Sequence, residues 1–130
     1  MAQRIDESGI REIARASRLL LDCIIESEGY QTVDGYCARG VAILYAALRP
    51  FFGYKELKII VNPLHCFLLT DKDLLIDISG DQFGEPDILI RRLPKNAPDY
   101  WKTQKAIYNL SGLSSYLKNQ SWPKDQIPYA

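Results

Sequence analysis

Three residues of this chain belong to types that can carry out covalent chemistry together: Cys37, His65 and Asp77. Cys37 follows the turn-forming "VDG" and opens an apolar, alanine-rich run that stops at Pro50, which places it in the first turn of a helix. Backbone N–H groups and the positive end of the helix dipole surround a sulfur at that place and favour thiolate over thiol. A thiolate nucleophile needs a base nearby, and the single histidine, His65, is predicted on the strand that follows. A histidine in that role needs a third group to fix its tautomer. Asp77 suits it, because a carboxylate inside the apolar run "LLIDIS" is poor strand material and costly to bury without a partner.

Positioning depends on the elements around these residues. Apolar residues at Ile10, Ile13, Leu20 and Ile24 predict an amphipathic helix from about Glu7 to Glu28, ended by Gly29. A second helix, apolar all round, is predicted over Cys37 to Arg49, with Asp34 as its N-cap. Strands follow at "LKIIV", "LHCFLLT", "LLIDIS" and "DILIRRL". Ile107, Leu110, Leu113 and Leu117 space as one face of a C-terminal helix, and the tail "SWPKDQIPYA" is expected to lie over the surface.

The middle two strands form a hairpin whose loop length decides whether the chemistry works. With a two-residue turn at Asp71 and Lys72, Asp77 faces Cys66 and lies on the sheet face opposite His65. With a loop of Asp71, Lys72 and Asp73, it stands opposite Phe67, diagonal to His65 and on the same face. The odd-length loop is the one predicted. The same parity turns Cys66 to the other face, as a core residue, and makes a Cys37, His65, Cys66 metal site geometrically unfavourable. Cys23, beside the first helical stripe, is expected to be a small buried hydrophobe.

Bulk properties exclude several classes. At 130 residues, 47% apolar and 25% charged, the chain has the composition of one globular domain. Sixteen basic residues balance sixteen acidic ones, and Arg91, Arg92 and Lys95 alone make a weak case for nucleic acid. No run reaches the length of a signal core or a membrane span, so a cytoplasmic protein without membrane or nucleic-acid partners is expected. Three cysteines without a CxxC pair argue for reduced thiols, and no metal or other cofactor is expected.

A helix-mouth cysteine in "GYCARGVAIL", a strand histidine in "LHCFLL" and a strand aspartate in "LLIDISGDQFG", in that order, resemble the papain-like and transglutaminase-like cysteine enzymes. The resemblance covers about residues 29 to 84 and is closest to the small bacterial papain-fold toxin and glutamine-deamidase domains. It implies an α+β fold of helices against an antiparallel sheet, with Cys37 as nucleophile, His65 as general acid and base, and Asp77 as orienting group. Asp81 is the alternative third member. It further implies that Gln31, six positions before the cysteine, donates to the oxyanion beside the Cys37 N–H. The aromatic that commonly follows the nucleophile is replaced by Ala38, with Tyr36 on the preceding side.

These parts describe an enzyme that attacks a protein amide or carboxamide, as a peptidase (thiol protease) or deamidase. Tyr36, Asp81 and Gln82 are candidates to line its cleft. Acyl transfer to an amine, or an inactive papain-like binding module, are the alternatives. A toxin of this kind is expected to act on a protein substrate, to be delivered into another cell as an effector, and to have a neutralising antitoxin or immunity partner.

Overall fold

The computed structural model describes residues 4–128. Its first helix, α1 (Glu7–Ser27), is capped by the Asp6 carboxylate, which accepts the Gly9 N–H at 2.8 Å. Gly29 and Tyr30 close its C-terminus by donating to the Glu26 and Ile25 carbonyls, the paired bonds that end a helix with a glycine. The buried line on α1 is Ile10, Ala14, Ser17, Leu21 and Ile25, one step round from the predicted stripe. Ile13 and Ile24 are half-buried and Leu20 is 52% exposed. Cys23, expected in the core, is exposed. The second helix packs on the line holding the small residues Ala14 and Ser17, and Cys23 lies about 200° round the helix from Leu21.

The second helix, α2 (Cys37–Leu48), is buried along most of its length, as its all-round apolar sequence requires. Asp34 does not cap it. Tyr36 holds the cap position without a side-chain hydrogen bond, because the chain turns at Gly35 (φ 83°) and Tyr36 N–H donates to the Val33 carbonyl. That turn leaves Asp34 outside the helix start.

Five strands form one antiparallel sheet: β1 (Leu57–Val61), β2 (Cys66–Thr70), β3 (Leu74–Asp77), β4 (Leu89–Arg92) and β5 (Lys105–Ile107), in the order β4-β3-β2-β1-β5. In the central hairpin Leu68 pairs with Ile76 and Leu69 with Leu75, so the loop is Asp71, Lys72 and Asp73 and the register is the odd-length one. Asp73 takes the left-handed conformation (φ 60°) and donates to the Thr70 carbonyl, a three-residue hairpin geometry. Ile107 belongs to β5 rather than to the last helix. That helix, α3 (Leu110–Asn119), starts at Asn109, whose side chain takes the Gly112 N–H.

The two sheet faces are covered unequally. Ile59, Val61, Cys66, Leu68, Ile76, Ile90 and Ile107 face α1, α2 and α3 in the large core. Ile60, Phe67, Leu69, Leu75 and Trp101 make a smaller cluster on the other side, under the loop that joins β4 to β5. The fold is thus α+β, three helices with a five-stranded antiparallel sheet. Among the described residues no helix is long and apolar enough to cross a membrane.

Candidate active site

Cys37 is the first residue of α2, and with no side chain capping that end the first-turn amides keep no side-chain acceptor. His65 stands just before β2 rather than within it, at the end of a tight turn. The turn is pinned by Asn62, whose Oδ1 accepts the Leu64 and His65 N–H groups, each at 2.9 Å. The Asn62 amide in turn donates to the Tyr100 and Lys102 carbonyls at 3.1 and 3.0 Å. A polar residue thereby fixes the backbone that carries the histidine.

The odd-length hairpin brings Asp77 to His65. Nε2 of His65 lies 2.8 Å from Asp77 Oδ2, with the two side chains 0% and 1% exposed. An ionised carboxylate only accepts, so this contact places a proton on Nε2 and makes Nδ1 the nitrogen that gains or gives up the second one. Two more donors complete the carboxylate: Trp101 Nε1–H to Oδ2 and Ser79 N–H to Oδ1, both at 3.0 Å. The glycine at position 80 leaves this carboxylate room, since a Cβ there would sit 3.0 Å from Oδ2. Burial pushes the Asp77 carboxyl up, but the charge and hydrogen bond of His65, with Trp101 and Ser79, hold it below its ordinary 3.8.

His65 is likewise a balance. Burial lowers its basicity, and Asp77 and then Cys37 raise it to about 9. For Cys37 the largest influence is the Cys66 thiol, which donates to its sulfur; burial opposes, and His65 and the Cys66 N–H add to the effect, so the thiol is lowered to about 5. Cys66 moves the other way, raised well above 9.0 by burial and by Cys37, and so stays a protonated donor. The side chain that parity assigned to the core is there, on the helix-covered face, but it meets the nucleophile.

Cys37 opens on a cleft of about 390 Å³ lined also by Gly35, Pro63, Leu64, Gln82, Ser121, Trp122, Pro123 and Gln126. The tail therefore does more than lie on the surface: Ser121 to Pro123 and Gln126 wall the cleft, and Ile127 is buried behind them. None of the other lining side chains carries a charge.

The remaining sequence candidates scatter. Gln82 lines this cleft, and its Nε2 lies 3.3 Å from His65 Nδ1. Asp81 is held by Arg18 in a two-pronged pair at 2.7 and 2.9 Å, away from His65. Gln31 is exposed and lines a neighbouring groove with Arg18, Asp81 and Gln82. Tyr36 is buried, and its hydroxyl donates to Glu28 rather than facing the cleft. Trp101 was not foreseen from sequence. The one signal for it is indirect: a carboxylate buried in an apolar strand needs more donors than one histidine supplies. Among the described residues no cluster of three or more His, Cys, Asp or Glu side chains is placed to hold a metal ion.

No protein-family model, no curated protein and no solved structure matches this chain.

Proposed function

We propose that this chain is a cysteine-dependent hydrolase of papain-like type, acting on amide or carboxamide groups of protein substrates through Cys37, His65 and Asp77. The observation that carries the proposal is the buried pair beside the thiol: Asp77 fixes His65 at 2.8 Å, and Cys37, whose thiol His65 helps to lower, starts a helix and lines a cleft. A structural cysteine in an apolar core has its thiol raised, whereas this one is lowered to about 5. With His65 raised to about 9, the thiolate and imidazolium forms coexist between about pH 5 and pH 9.

The chemistry follows in two halves. The Cys37 thiolate attacks the carbonyl carbon, the C=O pair moves to oxygen, and the Cys37 N–H stabilises that oxyanion. The Nδ1 proton of His65 then passes to the departing nitrogen, leaving a thioester. Water gives a proton back to Nδ1, attacks the thioester and releases the acid and Cys37. On this proposal the chain works in the cytoplasm of the cell that makes it or receives it, and a small toxin of this kind would be matched by a neutralising partner.

The test is iodoacetamide labelling of each cysteine in native protein across pH, followed by mass spectrometry. At pH 6 Cys37 is expected to label much faster than Cys23 and Cys66. In His65→Ala the rate should drop, because the thiol loses the imidazole that lowers it while burial still raises it and only the Cys66 donor remains. Equal labelling of all three thiols would rule out the hydrolase and leave a papain-like binding module.

A further inference from the structure

The side-chain amide of Gln82 sits on the reactive edge of His65. Its Nε2 is 3.3 Å from Nδ1 and 3.1 Å from the Ser79 carbonyl oxygen. A carbonyl only accepts, so the nitrogen end of the amide is the end that faces both partners, and its two N–H groups serve one each. The turn that carries it, Gly80–Phe83, is clamped from two sides. Arg18 grips Asp81 and the Ile78 carbonyl, and Phe83 stacks on Tyr100 and meets His65 in a T-shaped contact, centroids 4.4 and 5.1 Å apart.

This arrangement fits only one state of the imidazole. A donor on Nδ1 matches the neutral ring, whose Nε2–H is given to Asp77. Once Nδ1 takes a proton, two N–H groups point at each other and the contact becomes repulsive. Gln82 must then release one N–H, while Ser79 keeps the other and limits the movement to a pivot. His65 is fully buried and Gln82 lines the cleft beside Cys37, so the released N–H turns toward the space where the attacked carbonyl sits.

Resting on the hydrolase proposal above, we infer that Gln82 is the side-chain donor of the oxyanion site, held on His65 Nδ1 while that nitrogen is bare and released toward the cleft when it carries the Cys37 proton, as in the thiolate–imidazolium pair. With the Cys37 proton already on Nδ1, the thiolate pair forms the C–S bond in the attack step, and the carbonyl π pair goes to oxygen. The Gln82 N–H and the Cys37 N–H receive that oxygen. On collapse Nδ1–H protonates the departing nitrogen, its lone pair returns, and Gln82 goes back to it. Gln31, by contrast, is exposed on the loop after α1 and shares only the neighbouring groove with Gln82.

Two probes separate this role from a structural one. Iodoacetamide reacts at the thiolate without forming an oxyanion, whereas acylation by p-nitrophenyl acetate forms one. In Gln82→Ala the alkylation profile of Cys37 should move to lower pH, because Nδ1 loses the donor that favours its neutral form. Acylation at Cys37 should fall by about 100-fold, the lower end of the loss on removing one oxyanion donor. Gln82→Glu, of the same shape, should show both effects, since a carboxylate favours the imidazolium and repels the oxyanion. The inference is overturned if both rates stay at wild-type values, if both fall together, or if Gln31→Ala loses more acylation than Gln82→Ala. A wild-type Cys37 that is neither alkylated quickly nor acylated would overturn the hydrolase itself, an outcome visible before any variant is made.

Discussion

The two faces of the sheet are built to different ends. On one, α1, α2 and α3 cover Ile59, Val61, Cys66, Leu68 and Ile76 in the large apolar core. On the other, five buried apolar residues are joined by an aspartate and, at the sheet's end, by a histidine, both with almost no exposed surface. Apolar burial at ~25 cal/mol per Å² makes the first face the main source of stability. The second face gives part of its small interior to polar groups that stabilise only when every partner is present. Cys37 stands where the two meet, at the end of the helix layer, against Cys66 from one face and His65 from the other. Stability and reactivity are therefore separable by face, and substitutions can test the separation.

The largest effect is expected on the helix-covered face. Leu68 is fully buried between Ile59 and Ile76, so Leu68→Ala should cost about 2–5 kcal/mol in urea or thermal unfolding. The pH profile of Cys37 labelling in the protein that stays folded should not move. A shifted profile would show that the core sets the nucleophile's state, and the division between faces would fail.

A smaller stability effect with a larger chemical one is expected across the sheet. Trp101→Phe keeps the apolar bulk and removes one of three donors to Asp77, costing about 1–3 kcal/mol. Asp77 has a folded pKa below its ordinary 3.8, so its contribution is present above that pH and is lost as pH falls through the folded value. Without Trp101 that value rises toward 3.8, so the stability lost on acidification should be smaller and its loss complete at higher pH. His65 has the opposite sign: raised to about 9, it contributes fully below 6.5 and loses the contribution as pH rises to about 9. A less firmly ionised Asp77 lowers His65, and Cys37 labelling should shift to higher pH. An unchanged acid limb and an unchanged labelling profile would mean that Trp101 only packs.

How far this arrangement was legible follows from which forces set each part. Period-two parity in a strand with one buried side is strict, so Asp77 reaching His65, and Cys66 facing away from it, could be derived from loop length alone. The helix start at Cys37 was legible from composition, but its cap was not, because Gly35 turns the chain between Asp34 and the helix. Cys23 was misplaced because a helical stripe read from apolar residues ignores the small ones, and Ala14 and Ser17 belong to the line that is buried. Trp101, Arg18 against Asp81, and the tail walling the cleft are contacts between segments far apart in sequence, with no periodic signal to announce them.

The smallest effect tests whether the hairpin loop or the buried faces hold the register on which everything else rests. Asp73 occupies the left-handed region at φ 60°, where a side chain costs more than a bare Cα, so Asp73→Gly should relieve strain there. The gain is offset by the greater freedom of glycine in the unfolded chain, which leaves a net change of about 0.5 kcal/mol in favour of the variant. If Leu68, Leu69, Leu75 and Ile76 fix the pairing by burial, the looser loop cannot slip, because a one-residue shift would move Asp77 into the helix-covered core. Cys37 labelling should then keep its wild-type pH profile. A profile that flattened toward an ordinary thiol, with unfolding still cooperative, would show that Asp73 itself holds Asp77 against His65.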